Sequence, residues 1–144
     1  MKILFLDVDG VLNGAHTKER EPGGCIGVTQ DRCERLRRVL RETKARVVVS
    51  STWRKHAKSM VYLWNELGPD ARKAYLGSTP LLGGTRGEEI AMWLRLNEHW
   101  GVKRFAIVDD DTDMDPVSDY LVKTETYVGI ADEHADKLIV MLNG

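Results

Sequence analysis

The sequence predicts an α/β fold, a three-layer sandwich in which a central parallel sheet of about five strands is covered by helices. Three observations predict it. Short apolar runs alternate with stretches of helical periodicity along the whole chain, and strand–helix alternation of that kind builds parallel sheets. The runs are apolar at successive positions instead of every second one, as in strands buried on both faces. Carboxylates and hydroxyls follow three of the runs, and in such sheets ligands sit at the carboxyl ends of the strands.

Each element has its own signature. Lys2–Val8 is a nearly continuous apolar run and reads as the first strand. Thr29 stands as N-cap before a helix over Gln30–Thr43, where Cys33, Leu36, Val39 and Leu40 share one face. The β-branched Arg46–Ser50 is the second strand. Lys55–Leu67 carries Met60, Val61, Leu63, Trp64 and Leu67 at helical spacing and stops at Gly68-Pro69. Ala74–Gly77 is a short strand candidate. Thr85, with Glu88 three positions later, has the form of a capping box opening a helix over Arg86–Trp100, with Ile90, Trp93, Leu94 and Trp100 facing inward. Arg104–Val108 and Tyr120–Lys123 complete the strands. Ala131–Leu142 is the last helix, with Ala135, Leu138, Ile139 and Leu142 on one side.

Length and composition bound the rest. At 144 residues the chain suits one domain spanning 1–144. With 42% hydrophobic and 30% charged residues it has the balance of a globular chain and not of a disordered one. It has no apolar run of about 18 residues, so no membrane span is expected. The N-terminal apolar stretch is too short for a signal-peptide core. Two cysteines, Cys25 and Cys33, make no disulfide scaffold and no zinc pair. The expectation is a cytoplasmic protein with free thiols. The net charge of −1 hides a split: residues 1–74 carry 15 Lys+Arg against 9 Asp+Glu, a net +6, and residues 75–144 carry 6 against 13, a net −7.

The chemistry gathers at the strand ends. The first strand leads into Asp7-Val8-Asp9-Gly10-Val11-Leu12-Asn13, two carboxylates two positions apart before a glycine that lets the chain turn sharply. The second leads into Ser50-Ser51-Thr52 and the fourth into Asp109-Asp110-Asp111, with Asp113 and Asp115 behind. Clustered carboxylates repel each other unless a cation neutralises them, and hard oxygen donors without His or Cys favour Mg²⁺. Taken singly, Asp-Gly is a common turn and an Asp run a common solvated loop; only their joint placement points to a site. The four histidines show no ligand spacing and are expected at the surface, with His16, in the loop after the first strand, the one candidate exception.

These residues resemble the motifs of the haloacid dehalogenase (HAD) superfamily. Asp7-Val8-Asp9-Gly10-Val11-Leu12 resembles its first motif, Ser50 after an apolar strand its second, and Asp109-Asp110 its acidic fourth, while Arg86 best matches the cation of the third. More narrowly, Ser50-Ser51-Thr52-Trp53-Arg54, Arg86-Gly87-Glu88-Glu89-Ile90 and Val128-Gly129-Ile130 are similar to small HAD domains associated with RNA repair proteins and phage proteins. The resemblance implies a Rossmann-like fold and a Mg²⁺-dependent phosphatase working through an aspartyl-phosphate. In that reading Asp7 is the nucleophile and Asp9 the acid and base. Ser50, Ser51 and Arg86 bind phosphate, and Asp7, Asp9, Asp109 and Asp110 hold the metal. Asn13, Trp53, Arg54 and Asp113 are candidate substrate contacts; Trp53 packing under the sheet edge and Arg54 pairing with a carboxylate is the alternative for those two.

Cap insertions set substrate choice in that superfamily. Here residues 13–28 suffice for a hairpin flap but not a domain, so the resemblance implies a minimal cap and an open site. The expected partner is a phosphorylated substrate, a nucleotide or polynucleotide end. A general small-molecule phosphomonoesterase and a non-catalytic phosphate-binding or phosphoacceptor module are the alternatives. The basic run Arg32, Arg35, Arg37, Arg38, Arg41, Lys44 and Arg46 admits two readings: a flank for a nucleic-acid backbone, or a solvated face paired with Glu34 and Glu42.

Overall fold

The computed structural model describes residues 1–144. In chain order the elements are β1 (Lys2–Leu6), α1 (Gln30–Thr43), β2 (Arg46–Val49), α2 (Ala57–Leu67), α3 (Pro69–Ala74), β3 (Tyr75–Ser78), α4 (Arg86–Leu96), β4 (Arg104–Asp109), β5 (Leu121–Lys123) and α5 (Asp132–Asn143). The strands form one five-stranded sheet in the order β3-β2-β1-β4-β5. Every neighbouring pair is parallel. The chain builds outward from β1 through β2 to β3, then returns to the other side of β1 for β4 and β5. That reversal puts the topological switch point, where open α/β sheets bind ligands, between the ends of β1 and β4.

The continuous apolar runs are explained by cover on both faces. Leu4, Leu6, Val47, Val49, Ala106 and Val108 point to one face and pack with Leu36 and Val39 of α1, Leu63 and Leu67 of α2, and Leu138 and Leu142 of α5. Ile3, Phe5, Val48 and Ile107 point to the other and pack with Ile90 and Trp93 of α4, together with Met114 and Val117. Phe5 meets Trp93 and Phe105 edge-on, at centroid distances of 5.5 and 5.9 Å. One face thus takes α1, α2, α5 and Ala71 of α3, and the other takes α4 with Met114 and Val117 of the loop after β4, so α4 and that loop together fix how that side sits on the sheet.

The structure departs from the sequence reading at element ends. Helix α2 opens at Ala57 and not at the expected Lys55, because Lys55 belongs to a separate 3₁₀ turn over Thr52–Lys55 that starts where the Ser51 hydroxyl accepts the Trp53 N–H. Helix α4 stops at Leu96, where the Asn97 side-chain amide donates to the Trp93 carbonyl, and Trp100 is 42% exposed instead of inward. The short α3 has no apolar period long enough to read in sequence. It starts because Gly68 takes φ 93° and Pro69 supplies a first-turn residue that needs no N–H partner. Thr29 flanks α1, but its hydroxyl accepts from Arg32 Nη1 at 2.8 Å instead of capping the helix. His134 is buried, not on the surface, and its Nδ1 accepts the Ala131 N–H at the start of α5. No helix is long and apolar enough to cross a membrane.

Candidate active site

The parallel ladder continues one residue past several strands, and those extra residues are polar. The Asp7 N–H donates to Val108 O, Ser50 N–H to Leu6 O, Thr79 N–H to Val49 O and Thr124 N–H to Asp109 O. Thr79, Ser50, Asp7, Asp109 and Thr124 therefore stand in a row across the carboxyl edge, one from each strand, and all five are buried. A strand that is apolar up to its last residue fixes that residue's backbone by the sheet itself, which gives a rigid mount for side chains.

Asp7 is at the centre of the row. One carboxylate oxygen each from Asp7, Asp109 and Asp110 lie within 4.8 Å of one another. The Arg86 guanidinium donates through Nη1 to Asp7 Oδ1 at 3.1 Å and to Asp109 Oδ2 at 2.9 Å. Burial and the neighbouring Asp109 carboxylate hold the Asp7 carboxyl well above its ordinary range, with Arg86 pulling the other way. Burial pushes Asp109 up to about 6, against the Asp111 N–H and Arg86. Two buried carboxylates this close share a proton unless more positive charge arrives. The donor set is all carboxylate oxygen, without His or Cys, which fits a hard divalent cation. Asp9 is not in this trio: it is exposed, and its Oδ1 accepts from Asn13 Nδ2 at 2.9 Å.

The turn after β1 is built for close approach. Gly10 has φ 79°, and a Cβ there would lie 2.2 Å from Asp110 Oδ2. Its N–H donates to Asn13 Oδ1 at 2.8 Å, and its carbonyl accepts from the Thr124 hydroxyl at 2.6 Å. Asn13 is buried; its amide also donates to Gly27 O, so it ties the turn and Asp9 to residues 13–28. Asp110 is steadied from the far side by the Thr126 hydroxyl at 2.9 Å.

Arg86 reaches the carboxylates because of how α4 starts. Thr85 Oγ1 accepts the Glu88 N–H, while Asp113 accepts the Arg86 N–H through its carboxylate and the Gly87 N–H through its carbonyl. A Cβ on Gly87 would sit 2.2 Å from the Met114 carbonyl carbon, so only glycine lets the helix seat against that loop. Asp113 thus orients the helix that carries Arg86.

Ser50 and Ser51 part company. Ser50 Oγ is fully buried with no hydrogen-bond partner, whereas Ser51 Oγ accepts from Trp53 N–H. Thr79 Oγ1 is a second partnerless hydroxyl in the same row. Trp53 is buried in the core beside Tyr62, so the packing alternative describes it. Arg54 is directed inward as well. It donates to Ser50 O, Ser51 O and Thr79 O and pairs with Glu89 at 2.9 Å, with side-chain exposures of 5% and 8%. Glu89 in turn accepts from Leu82 N–H. Thr124, Thr126 and Thr79 went unnoticed in the sequence, since isolated threonines carry no spacing signal, and Glu89 stood in a quoted motif without a role.

Two clefts flank the site. One, of about 520 Å³, is lined by Asp9, Asn13, Ala15, Ile26, Asp110 and Thr126 among others, with no basic residue. The second, of about 230 Å³, is lined by Thr52, Arg54, Lys55, Arg86, Glu89 and Asp113 among others. Between β1 and α1 the only added structure is an Arg20–Ile26 antiparallel bridge.

The model of the HAD domain in Swiss Army Knife RNA repair proteins matches residues 3–135. The chain belongs to this family. The match covers every residue of the row and all three carboxylates, and it supports a hydrolase of the HAD type. No curated protein matches the chain.

Proposed function

We propose that the protein is a divalent-metal-dependent phosphatase that forms an aspartyl-phosphate on Asp7 and acts on nucleotide or polynucleotide end phosphates. The observation that carries this is the Asp7 carboxylate, buried, bonded to Arg86 and within reach of two further carboxylates at the carboxyl edge of the sheet.

The geometry supports the following roles. Asp7 Oδ2 makes no ion pair, while Oδ1 is held by Arg86, so one oxygen is oriented and the other is left to attack phosphorus. Bond formation to Asp7 releases the substrate oxygen, which takes a proton from Asp9; Asp9 then removes a proton from the water that opens the acyl-phosphate. Asp9 suits this alternation because it is solvent-exposed and aimed by Asn13. Arg86 lies beside the attacking carboxylate and supplies permanent charge for two phosphate oxygens. The partnerless Ser50 hydroxyl has a donor free for a third. A divalent cation, Mg²⁺ by the hardness of the donors, would be held by Asp7, Asp109 and Asp110 and would offset the charge that otherwise keeps phosphate and carboxylates apart.

The family's link to RNA repair supports a nucleic-acid-related substrate. The test is hydrolysis of a panel of nucleotides, 5′- and 3′-phosphorylated oligonucleotides and small phosphomonoesters with Mg²⁺, comparing wild type with Asp7→Asn and Asp9→Asn. Expected are turnover in wild type, none in Asp7→Asn, and a loss of about 10²–10⁴-fold in Asp9→Asn, the usual reach of acid–base catalysis. Silence of the wild type on the whole panel refutes the proposal.

A further inference from the structure

The basic run of α1 divides in three dimensions. Arg35 and Arg38 reach across to Asp132 and Asp136 of α5 at 3.1 and 2.6 Å, and Arg32 donates to Val128 O. This half of the helix is neutralised by the acidic half of the chain. The remainder gathers elsewhere. Arg37, Arg41 and Lys44 from the end of α1, Arg46 from β2 and Lys73 from α3 line a cleft of about 580 Å³ in which Asp70 is the one acidic residue. The helix dipole accounts for cations at the ends of α1 and α3, Lys73 among them, but not for Arg46 on a strand. Arg37 and Arg41 both pair with Glu34, and Arg38 with Glu42, as the paired-face reading expected; Arg46 donates to Ala74 O. Lys44 and Lys73 are exposed and take part in none of the ion pairs at this end. Leu40, Ala45, Ala71 and Ala74 give the cleft an apolar floor.

Its position decides what it fits. Helix α1 runs back against the strand direction between two parallel strands, so Lys44 lies at the opposite edge of the sheet from Asp7. Fourteen residues of helix separate the two edges, about 21 Å. A mononucleotide cannot touch both places; a polynucleotide can.

We infer that this cleft binds the phosphodiester backbone of an RNA strand whose terminal phosphate lies at Asp7. Point charges on exposed lysines suit backbone phosphates and carry no base readout, and the apolar floor accepts the sugars between them. RNA is chosen over an acidic protein because the family's own setting is RNA repair. The inference rests on the phosphatase reading only for the fate of the strand's end, since binding is measurable without turnover.

The test is fluorescence anisotropy with a labelled single-stranded RNA of about 15 nucleotides, near the upper site size of such binders, in EDTA across a salt series. The variant is Lys44→Asn with Lys73→Gln, because Asn tolerates the left-handed backbone at position 44, φ 59°. Expected is an affinity loss of about tenfold at low salt and a salt slope shallower by about 1.4, from two fewer phosphate contacts. Lys103→Gln with Lys137→Gln makes the same charge change away from the cleft and is expected to bind RNA as wild type does. Equal loss in both double variants, no loss in the first, or displacement of RNA by poly-glutamate at equal charge overturns the inference. Hydrolysis of small esters without cleft-dependent RNA binding sinks the cleft alone; cleft-dependent binding without turnover of any ester sinks the phosphatase reading alone.

Discussion

Gly10 shows how little room the centre leaves. Its positive φ already disfavours any side chain, and a Cβ would run into the Asp110 carboxylate. Gly10→Ala is expected to cost about 1–3 kcal/mol from backbone strain alone and to displace Asp110, so that thermal unfolding and turnover both fall. Asp109 gives a pH prediction. Its folded value near 6 lies above the ordinary 3.8, so the folded protein keeps a proton that the unfolded chain releases. The corresponding stability is present below about 3.8 and lost as pH rises to about 6. In metal-free protein, Asp109→Asn removes this loss, so its unfolding midpoint declines less than wild type's between about pH 4 and pH 7. An identical decline in both proteins contradicts the shared-proton account. The buried Cys33 thiol is pushed up to about 12 by its surroundings, which keeps it an inert core residue.

At the scale of elements, the Arg54–Glu89 pair joins the 3₁₀ turn after β2, the end of β3 and helix α4. Both side chains are almost wholly buried, so removing one strands the other. Arg54→Ala is expected to destabilise by about 3–5 kcal/mol, the usual result of breaking a buried pair. Glu89→Gln keeps the packing and one acceptor oxygen. It is expected to lose less stability but to raise KM, since α4 also carries Arg86; calorimetry and steady-state kinetics separate the two effects. Gly87→Ala acts on the same helix from its other contact, forcing its start off the Met114 loop. Its expected signature is lost turnover with a modest fall in unfolding temperature.

For the whole molecule, the near-neutral total is the sum of two uses of charge. Two α1–α5 ion pairs, Arg35–Asp132 and Arg38–Asp136, join the basic and acidic halves, exposed and individually weak as such pairs are. The carboxylates of the site stay uncompensated except by Arg86. Mg²⁺ is therefore expected to raise the unfolding temperature by mass action, and by more at about pH 7.5 than at pH 5, where protons compete for the same oxygens. Differential scanning fluorimetry with and without Mg²⁺ checks this, and an equal shift at both pH values counts against binding at the trio. Asp110→Asn should reduce the shift at the higher pH.

Much of the fold was legible because burial on both faces writes itself into sequence as unbroken apolar runs, and because Gly68-Pro69 and Thr85 mark helix ends by local chemistry alone. Asp7, Ser50 and Asp109 were legible for the same reason: each follows such a run. Arg86 was visible by its place at a helix start, but its two carboxylate partners lie 79 and 23 positions away. What the sequence by itself determined is the parallel sheet with its three clear central strands and the polar residues at the ends of β1, β2 and β4. Only the tertiary structure decided which carboxylates meet and that Asp9 stands apart from the trio. It also turned Trp53 and Arg54 inward and divided the basic helix into a neutralised half and an open cleft. Those outcomes depend on contacts between elements distant in the chain, whose geometry is set by packing and not by local propensity.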